Sequence, residues 1–217
     1  MWEVKLEPDV IFSYSAGISA CGKGEQWRRA LALLSEMWEA KLEPNIVSYN
    51  AGISACEKGE QWQRALALLS EIWEAKMEPD VISYSAGISA CERSEQWHRA
   101  LALLGEIWEL KLEPDVICPT AGISACEKGD QWRRALALLS EMRAAVLEPR
   151  AFSYSAGISA CETCEQWHRA LALLGEMWEV KSEPDVIIYS AGISACEKGD
   201  QWQRALALLS EIRAAVL

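Results

Sequence analysis

Apolar residues along this chain fall into two alternating stripes, each at helical spacing. In one stretch Tyr84, Ile88 and Cys91 lie three or four residues apart; in another Trp62, Ala65, Leu66, Leu69, Ile72 and Trp73 form a wider stripe. Such spacings put the side chains on one side of an α-helix, and the wider stripe suits burial against helices on both sides. The pattern predicts a first helix over about Ser83–Arg93, with Ser83 as its N-cap. It predicts a second helix over Gln61–Lys76. Gly59, Gly129 and Gly199 stand where a left-handed C-cap residue would end the first helix, and Asp130 and Asp200 suit the start of the next. Glu-Pro then closes each pair at 43–44, 78–79, 113–114, 148–149 and 183–184, because proline cannot continue a helix and restrains the residue before it.

The pair of stripes recurs every thirty-five residues without a slip, from Ile11, Ile46, Val81, Val116, Ala151 and Val186. A fixed period of this size implies stacked supersecondary units, each packed on its neighbours. The expected fold is all-α, a right-handed α-solenoid of helix-turn-helix repeats over 11–45, 46–80, 81–115, 116–150, 151–185 and 186–217. First helices are expected to line a concave face, with second helices outside and their tryptophans mostly buried. Residues 1–10 read as the tail of a truncated preceding repeat, since Met1–Asp9 closely matches Met177–Asp185. The chain is therefore expected to be a fragment. Trp2 and Leu217 would be poorly covered, and the uncapped ends would favour self-association. Copies three and five share QWHRALALLGE, and copies four and six share a stretch ending RAAVL, as duplication of a two-unit block would leave them.

Composition narrows the chemistry. Cys21, Cys56, Cys91, Cys126, Cys161 and Cys196 occupy one repeat position. Stacked helices lie about 8–10 Å apart, too far for disulfides, so these cysteines read as small buried apolar residues. Cys161 and Cys164 form a lone C-x-x-C without a second pair, and no metal is expected. Cys118 is an isolated departure. His98 and His168 share a register with Arg28, Gln63, Arg133 and Gln203 and read as solvated surface. No apolar run is long enough to span a bilayer, no targeting peptide is visible, and no membrane partner is expected. The formal net charge of −11 opposes a nucleic-acid partner, because phosphate binding needs Lys and Arg.

A thirty-five-residue helix–turn–helix headed by Ser-Tyr-Asn or Ser-Tyr-Ser, with Ala-Leu in its second helix and Glu-Pro-Asp at its tail, resembles the pentatricopeptide repeat. The resemblance covers 11–217, and the wording of the copies is similar to the expanded repeat proteins of dinoflagellate algae. Tetratricopeptide repeats fit less well, because their period is thirty-four. The resemblance implies binding of single-stranded RNA, one base per repeat, in chloroplast or mitochondrial RNA processing. It implies no enzyme activity and no cofactor. Base choice would fall to the fifth and last residues of each repeat: Ser15 with Asn45, Asn50 with Asp80, Ser85 with Asp115, Thr120 with Arg150, Ser155 with Asp185, and Ser190. The second residue would be an apolar wedge between bases: Phe12, Val47, Ile82, Ile117, Phe152 and Ile187. The thirteenth would meet phosphate: Lys23, Lys58, Arg93, Lys128 and Lys198, with Thr163 departing from the pattern.

The implied code reads Ser/Asn as A, Asn/Asp as U and Ser/Asp as G. The target is then 5′-A-U-G-n-G-3′, with the fourth repeat off the code. A short hydroxyl leaves room for a purine edge, whereas the longer Asn amide reaches a pyrimidine. Serine and asparagine are also common at helix starts for purely structural reasons. A protein-binding scaffold, which the acidic charge favours, and a repeat fragment without independent function remain as other readings. The recurrent glutamates read as a solvated face, and no H-x-E with P-C-x-x-C for a zinc deaminase is present.

Overall fold

The computed structural model describes residues 7–216, apart from 114, 181 and 183. Met1 to Leu6 and Leu217, with the expectations placed on Trp2 and on the two ends, lie outside the described residues. The chain divides into two compact units, Met1–Pro114 and Asp115–Leu217. The first holds α1 (Glu7–Lys23), α2 (Trp27–Glu39), α3 (Ile46–Lys58), α4 (Trp62–Glu74), α5 (Val81–Arg93) and α6 (Trp97–Glu109). The second holds α7 (Ile117–Lys128), α8 (Trp132–Ala144), α9 (Ala151–Thr163), α10 (Trp167–Glu179), α11 (Val186–Lys198) and α12 (Trp202–Val216). Among the described residues there is no strand, and each unit is a stretch of all-α solenoid. α1 takes in Pro8, whose missing N–H does no harm in a helix's first turn.

Within each unit the odd-numbered helices form one layer. α3 packs between α1 and α5, and α9 between α7 and α11. Four even-numbered helices lie on their own first helix and on the next one: α2 on α1 and α3, α4 on α3 and α5, α8 on α7 and α9, and α10 on α9 and α11. Among the described residues neighbouring second helices do not approach closely by their backbones; they meet through long side chains, Arg64 of α4 over the Trp27 ring of α2 and Arg143 of α8 paired with Glu176 of α10. That arrangement limits what a second helix can bury. In α4 the buried residues are Ala65, Leu68, Leu69 and Ile72, and small Gly52 lets Leu68 approach α3 closely, since a Cβ there would stand 3.2 Å from Leu68 Cδ1.

The expectation of buried tryptophans is corrected in consequence. Trp38, Trp73, Trp108 and Trp178 are 38–48% exposed, and Trp202 is 63% exposed. Trp27, Trp62, Trp97, Trp132 and Trp167 are half-buried. The aromatic rings flank the buried stripe instead of filling it. The expected role of the cysteines holds: Cys56, Cys91, Cys126 and Cys161 are free and buried, and burial pushes the first three thiols up to about 11 and Cys161 to about 12. No group of residues that could hold a metal ion is present among the described residues.

The turns between helices also differ from expectation. Gly59 is the C-cap of α3 but has φ −85°; the left-handed residue is Glu60, at φ 55°. Gln61 N donates to Cys56 O at 2.9 Å and Glu60 N to Glu57 O at 3.1 Å, which is a Schellman turn whose special residue is not glycine. Asp130 and Asp200 hold the same left-handed place, at φ 54° and 55°, and are not N-caps. The second turn of a repeat repeats the motif, with Lys76 at φ 57° and Met77 N on Ile72 O at 3.0 Å. Gly59 is required for space: a Cβ would stand 2.3 Å from Trp27 Cδ1. At Gly199 it would stand 2.2 Å from Trp167 Cδ1.

Adjacent substitutions in one turn should therefore move stability in opposite directions. The left-handed conformation costs a side-chain-bearing residue about 1–2 kcal/mol, against about 0.5–1 kcal/mol of extra unfolded-chain entropy for glycine. Glu60→Gly should raise the urea midpoint by an amount equivalent to roughly 0.5–1 kcal/mol. Gly59→Ala should lower it by about 1–3 kcal/mol through overpacking on Trp27. The reverse order would mean that Gly59 is the left-handed residue.

Candidate nucleic-acid interface

The first-helix layer carries two features at the head of each helix. One is a row of apolar side chains left in solvent. Phe12, Val47 and Ile82 in the first unit are 57–74% exposed, and Ile117, Phe152 and Ile187 in the second are 60–73% exposed. Tyr49, Ile53 and Cys56 further along α3 are fully buried, so the helix needs only one face for packing. The second position lies off that face in every repeat.

The other feature is a polar network beside the row. Asn45 and Asp80, the last residues of their repeats, are the N-caps of α3 and α5. Asn45 Oδ1 accepts from Ser48 N at 3.0 Å and from Ser48 Oγ at 3.1 Å. Asp80 Oδ1 accepts from Ser83 N at 2.8 Å, and Asp80 N donates back to Ser83 Oγ at 3.2 Å, a capping box. Ser83 is thus the third helical residue and not the N-cap expected from sequence; the cap reaches in from the previous repeat.

The fifth residues join this network across the repeat boundary. Asn50 Nδ2 donates to Asp80 Oδ1 at 3.1 Å, while Asn50 Oδ1 accepts from Ser83 Oγ at 2.6 Å. The single Ser83 hydroxyl hydrogen is shared between Asn50 Oδ1 and Asp80 Oδ1, which lies 2.8 Å away. Ser15 Oγ lies 2.8 Å from Ser48 Oγ, so Ser15 and Asn45 meet through that serine. Burial works against ionisation of Asp80, but hydrogen bonds from Ser83 and Asn50 outweigh it and hold the carboxyl below its ordinary range. The network uses Oδ1 of Asp80 and leaves Oδ2 outside it.

In the second unit Thr120 Oγ1 lies 2.7 Å from Ser153 Oγ, as Ser15 does from Ser48. Arg150 is the N-cap of α9 but makes no side-chain cap bond, because arginine has no acceptor. Asp185 caps Ile188 N at 2.9 Å. Ser155 is half-buried, and the third residue of the following repeat is Ile188, which has no hydroxyl. Ser190 is exposed and donates to Val186 O at 2.7 Å. Asp115 Oδ1 accepts from Ile117 N at 3.0 Å and Cys118 N at 3.2 Å. Ser85 is half-buried in the first unit. The serine at the third position, which links the first two pairs, was read from sequence only as an N-cap, at Ser83. Its signal is there: Ser48, Ser83 and Ser153 follow a polar fifth residue by thirty-three positions.

The cations at position thirteen are exposed but are not a simple ladder. Arg93 Nε lies 3.5 Å from Glu57 Oε1, and Lys198 Nζ lies 3.2 Å from Glu162 Oε1. Both acids occupy position twelve of the preceding repeat. Burial pushes the Glu57 carboxyl up, and Arg93 partly offsets this. In the first repeat position twelve is Gly22, so Lys58 stands opposite no such carboxylate. Lys23 and Lys128 are also exposed. The expectation of an open phosphate track is corrected to this extent: Arg93 and Lys198 are partly neutralised. No described helix is long and apolar enough to cross a membrane.

A family model described as a pentatricopeptide repeat domain matches residues 1–59, 33–94 and 137–198, and a PPR repeat model matches 123–145. No curated protein sequence matches significantly. Among solved structures, the pentatricopeptide repeat protein PPR10 from maize is 24% identical over 94% of this chain and 29% of its own, with a TM-score of 0.75. PPR10 in complex with an 18-nt psaJ RNA element gives a TM-score of 0.68 at the same identity, over 94% of this chain and 28% of its own. The PPR domain of Arabidopsis thaliana protein-only RNase P 1, in complex with tRNA, is 12% identical over 87% of this chain and 96% of its own, with a TM-score of 0.71. The chain thus spans less than a third of the maize protein's length in those structures. Period, helix pairing and the matched family models agree: this chain belongs to the pentatricopeptide repeat family.

Proposed function

We propose that the first-helix face binds single-stranded RNA, one base per repeat, without catalysis and in organellar RNA metabolism. The observation that carries the reading is the exposed apolar row beside the capping network. Phe12, Val47, Ile82, Ile117, Phe152 and Ile187 would each wedge between bases. The fifth and last residues, Ser15 with Asn45 and Asn50 with Asp80 in the first unit, would meet the base edges. Ser85 and Asp115, Thr120 and Arg150, Ser155 and Asp185, and Ser190 continue the series by sequence position. The RNA-bound PPR10 and RNase P 1 structures support the reading through their likeness to this fold.

Magnitudes show how an acidic chain could bind RNA. Covering one large apolar side chain is worth about 1.5–3 kcal/mol, and stacking on bases adds to it where the wedge is aromatic, as at Phe12 and Phe152. Several such contacts can hold a short RNA with few free cations. The net charge of −11 would then slow approach and suppress non-specific binding without preventing local contact. That same charge favours a protein-binding scaffold as the second reading.

Filter binding with 5′-AUGnG-3′ RNA and its single-base variants tests the proposal. Asn50→Thr should move preference at the second base from U toward G by roughly 1–2 kcal/mol. An unchanged ranking would remove the fifth position from recognition. Salt dependence tests the phosphate contacts separately. Lys58→Ala should lower the slope of log affinity against log salt by about 0.7, the single-strand value per contact. Arg93→Ala should do less, because Glu57 already holds the guanidinium, and Glu57→Gln should strengthen binding at low salt. No binding at low salt would put the scaffold reading first.

A further inference from the structure

The fourth repeat ends differently from its neighbours. Residues 38–45, 73–80 and 108–115 read WEAKLEPN, WEAKMEPD and WELKLEPD, whereas 143–150 read RAAVLEPR. In the first, second, third and fifth repeats this position is a tryptophan: Trp38, Trp73, Trp108 and Trp178. In the fourth, Arg143 replaces that ring and a cleft of about 830 Å³ lies beside it in the second unit. Arg143, Arg150, Glu148, Tyr154, Leu147 and Pro149 are among its lining residues.

Tyr154 is fully buried, and its Oη makes no hydrogen bond among the described residues. The reason lies in its neighbours. In the third repeat Tyr84 Oη donates to Glu106 Oε2 at 3.1 Å. The corresponding carboxylate in the fifth repeat is Glu176, and it is paired with Arg143. The Arg143 guanidinium lies 5.7 Å from the centre of the Tyr154 ring, and a guanidinium can only donate. Arg150 makes no cap bond with its own helix. The cleft therefore gathers two guanidinium groups and one buried hydroxyl whose hydrogen lacks an acceptor. Glu148 is the carboxylate among its lining residues. A buried donor without an acceptor is costly, and an oxyanion would accept from Tyr154 and Arg150 while sharing the Arg143 guanidinium with Glu176.

We propose that this cleft is an oxyanion site of the phosphate class, with Arg143 and Arg150 supplying charge and Tyr154 a hydroxyl donor. The site shares Arg150 with the base-reading proposal but needs no RNA contact at the apolar row. Its source is either an RNA phosphate or a free phosphate compound.

Calorimetric titration of the full chain with pyrophosphate at fixed ionic strength is the test. Saturable binding at one site is expected. Arg143→Trp, which restores the residue of four other repeats, should abolish it; Arg150→Asp, the residue of two other first-helix caps, should weaken it roughly tenfold or more. Tyr154→Phe should weaken binding yet leave the unfolding midpoint in chloride unchanged or higher, because its hydroxyl has no acceptor there. Tyr84→Phe, which loses the bond to Glu106, should lower that midpoint. Absence of saturable binding, or equal binding by the parent chain and both arginine variants, would overturn the proposal. With saturable binding in hand, displacement of pyrophosphate by 5′-AUGnG-3′ RNA assigns the cleft to an RNA phosphate. Simultaneous binding of both assigns it to a free phosphate compound.

Discussion

Every α-helix starts with N–H groups that its own turns cannot satisfy. At α3, α5 and α11 the group that satisfies them is the side chain of the last residue of the repeat before. Asp80 does this for α5 and also takes the amide of Asn50, one repeat back. A cap of this kind is worth about 1 kcal/mol, little by itself. Its position matters more, because it ties the loop between repeats to the fifth residue of one first helix and the third residue of the next. The packing that lets first helices form a layer also brings Asn50 and Asp80 within hydrogen-bond reach and joins Ser15 to Asn45 through Ser48.

That arrangement leaves the polar pair occupied before any ligand arrives. On the proposed reading an incoming base edge would exchange with bonds already made, and discrimination would depend on which groups each pair keeps spare. Asn50 and Asp80 keep an amide hydrogen and a carboxylate oxygen outside their network; Ser15 and Asn45, joined through Ser48, present a different edge. The apolar row at position two has no such competition. It is solvated in every repeat and offers the same contact to any base. On this account affinity comes from the row, and sequence preference from the capping pair. The glutamates at position twelve work in the opposite sense. By pairing with Arg93 and Lys198 they would, on this reading, keep non-specific attraction low.

Much of this was legible from sequence, because the signals are local and repeated. The period, the two helices per unit, the buried Tyr-Ile-Cys stripe and the solvated histidines follow from spacing and residue type. The failures share a cause: each depends on a contact between repeats. Gly59 was read as the left-handed residue, whereas Trp27 from the previous repeat requires a small residue there and the next residue takes the strained backbone. Ser83 was read as a cap because Asp80 belongs to another unit of the pattern. The tryptophans were read as core because a single helix does not reveal that the backbones of neighbouring second helices stay apart. The cation ladder looked open because Glu57 and Arg93 are a repeat apart in sequence.

The central claim is that one set of hydrogen bonds both caps the helix and reads the base. Exchanging the second repeat's pair for that of the first, Asn50→Ser with Asp80→Asn, tests it directly, since Asn45 caps α3 as Asp80 caps α5. The measurement is the affinity of the parent and exchanged chains for 5′-AUGnG-3′ and 5′-AAGnG-3′ RNA, with the urea midpoint of each. The account predicts that the midpoint stays within about 1 kcal/mol in stability terms while preference moves from U to A at the second base. An unchanged preference in a chain of unchanged stability would contradict it, and would leave the network a purely structural device.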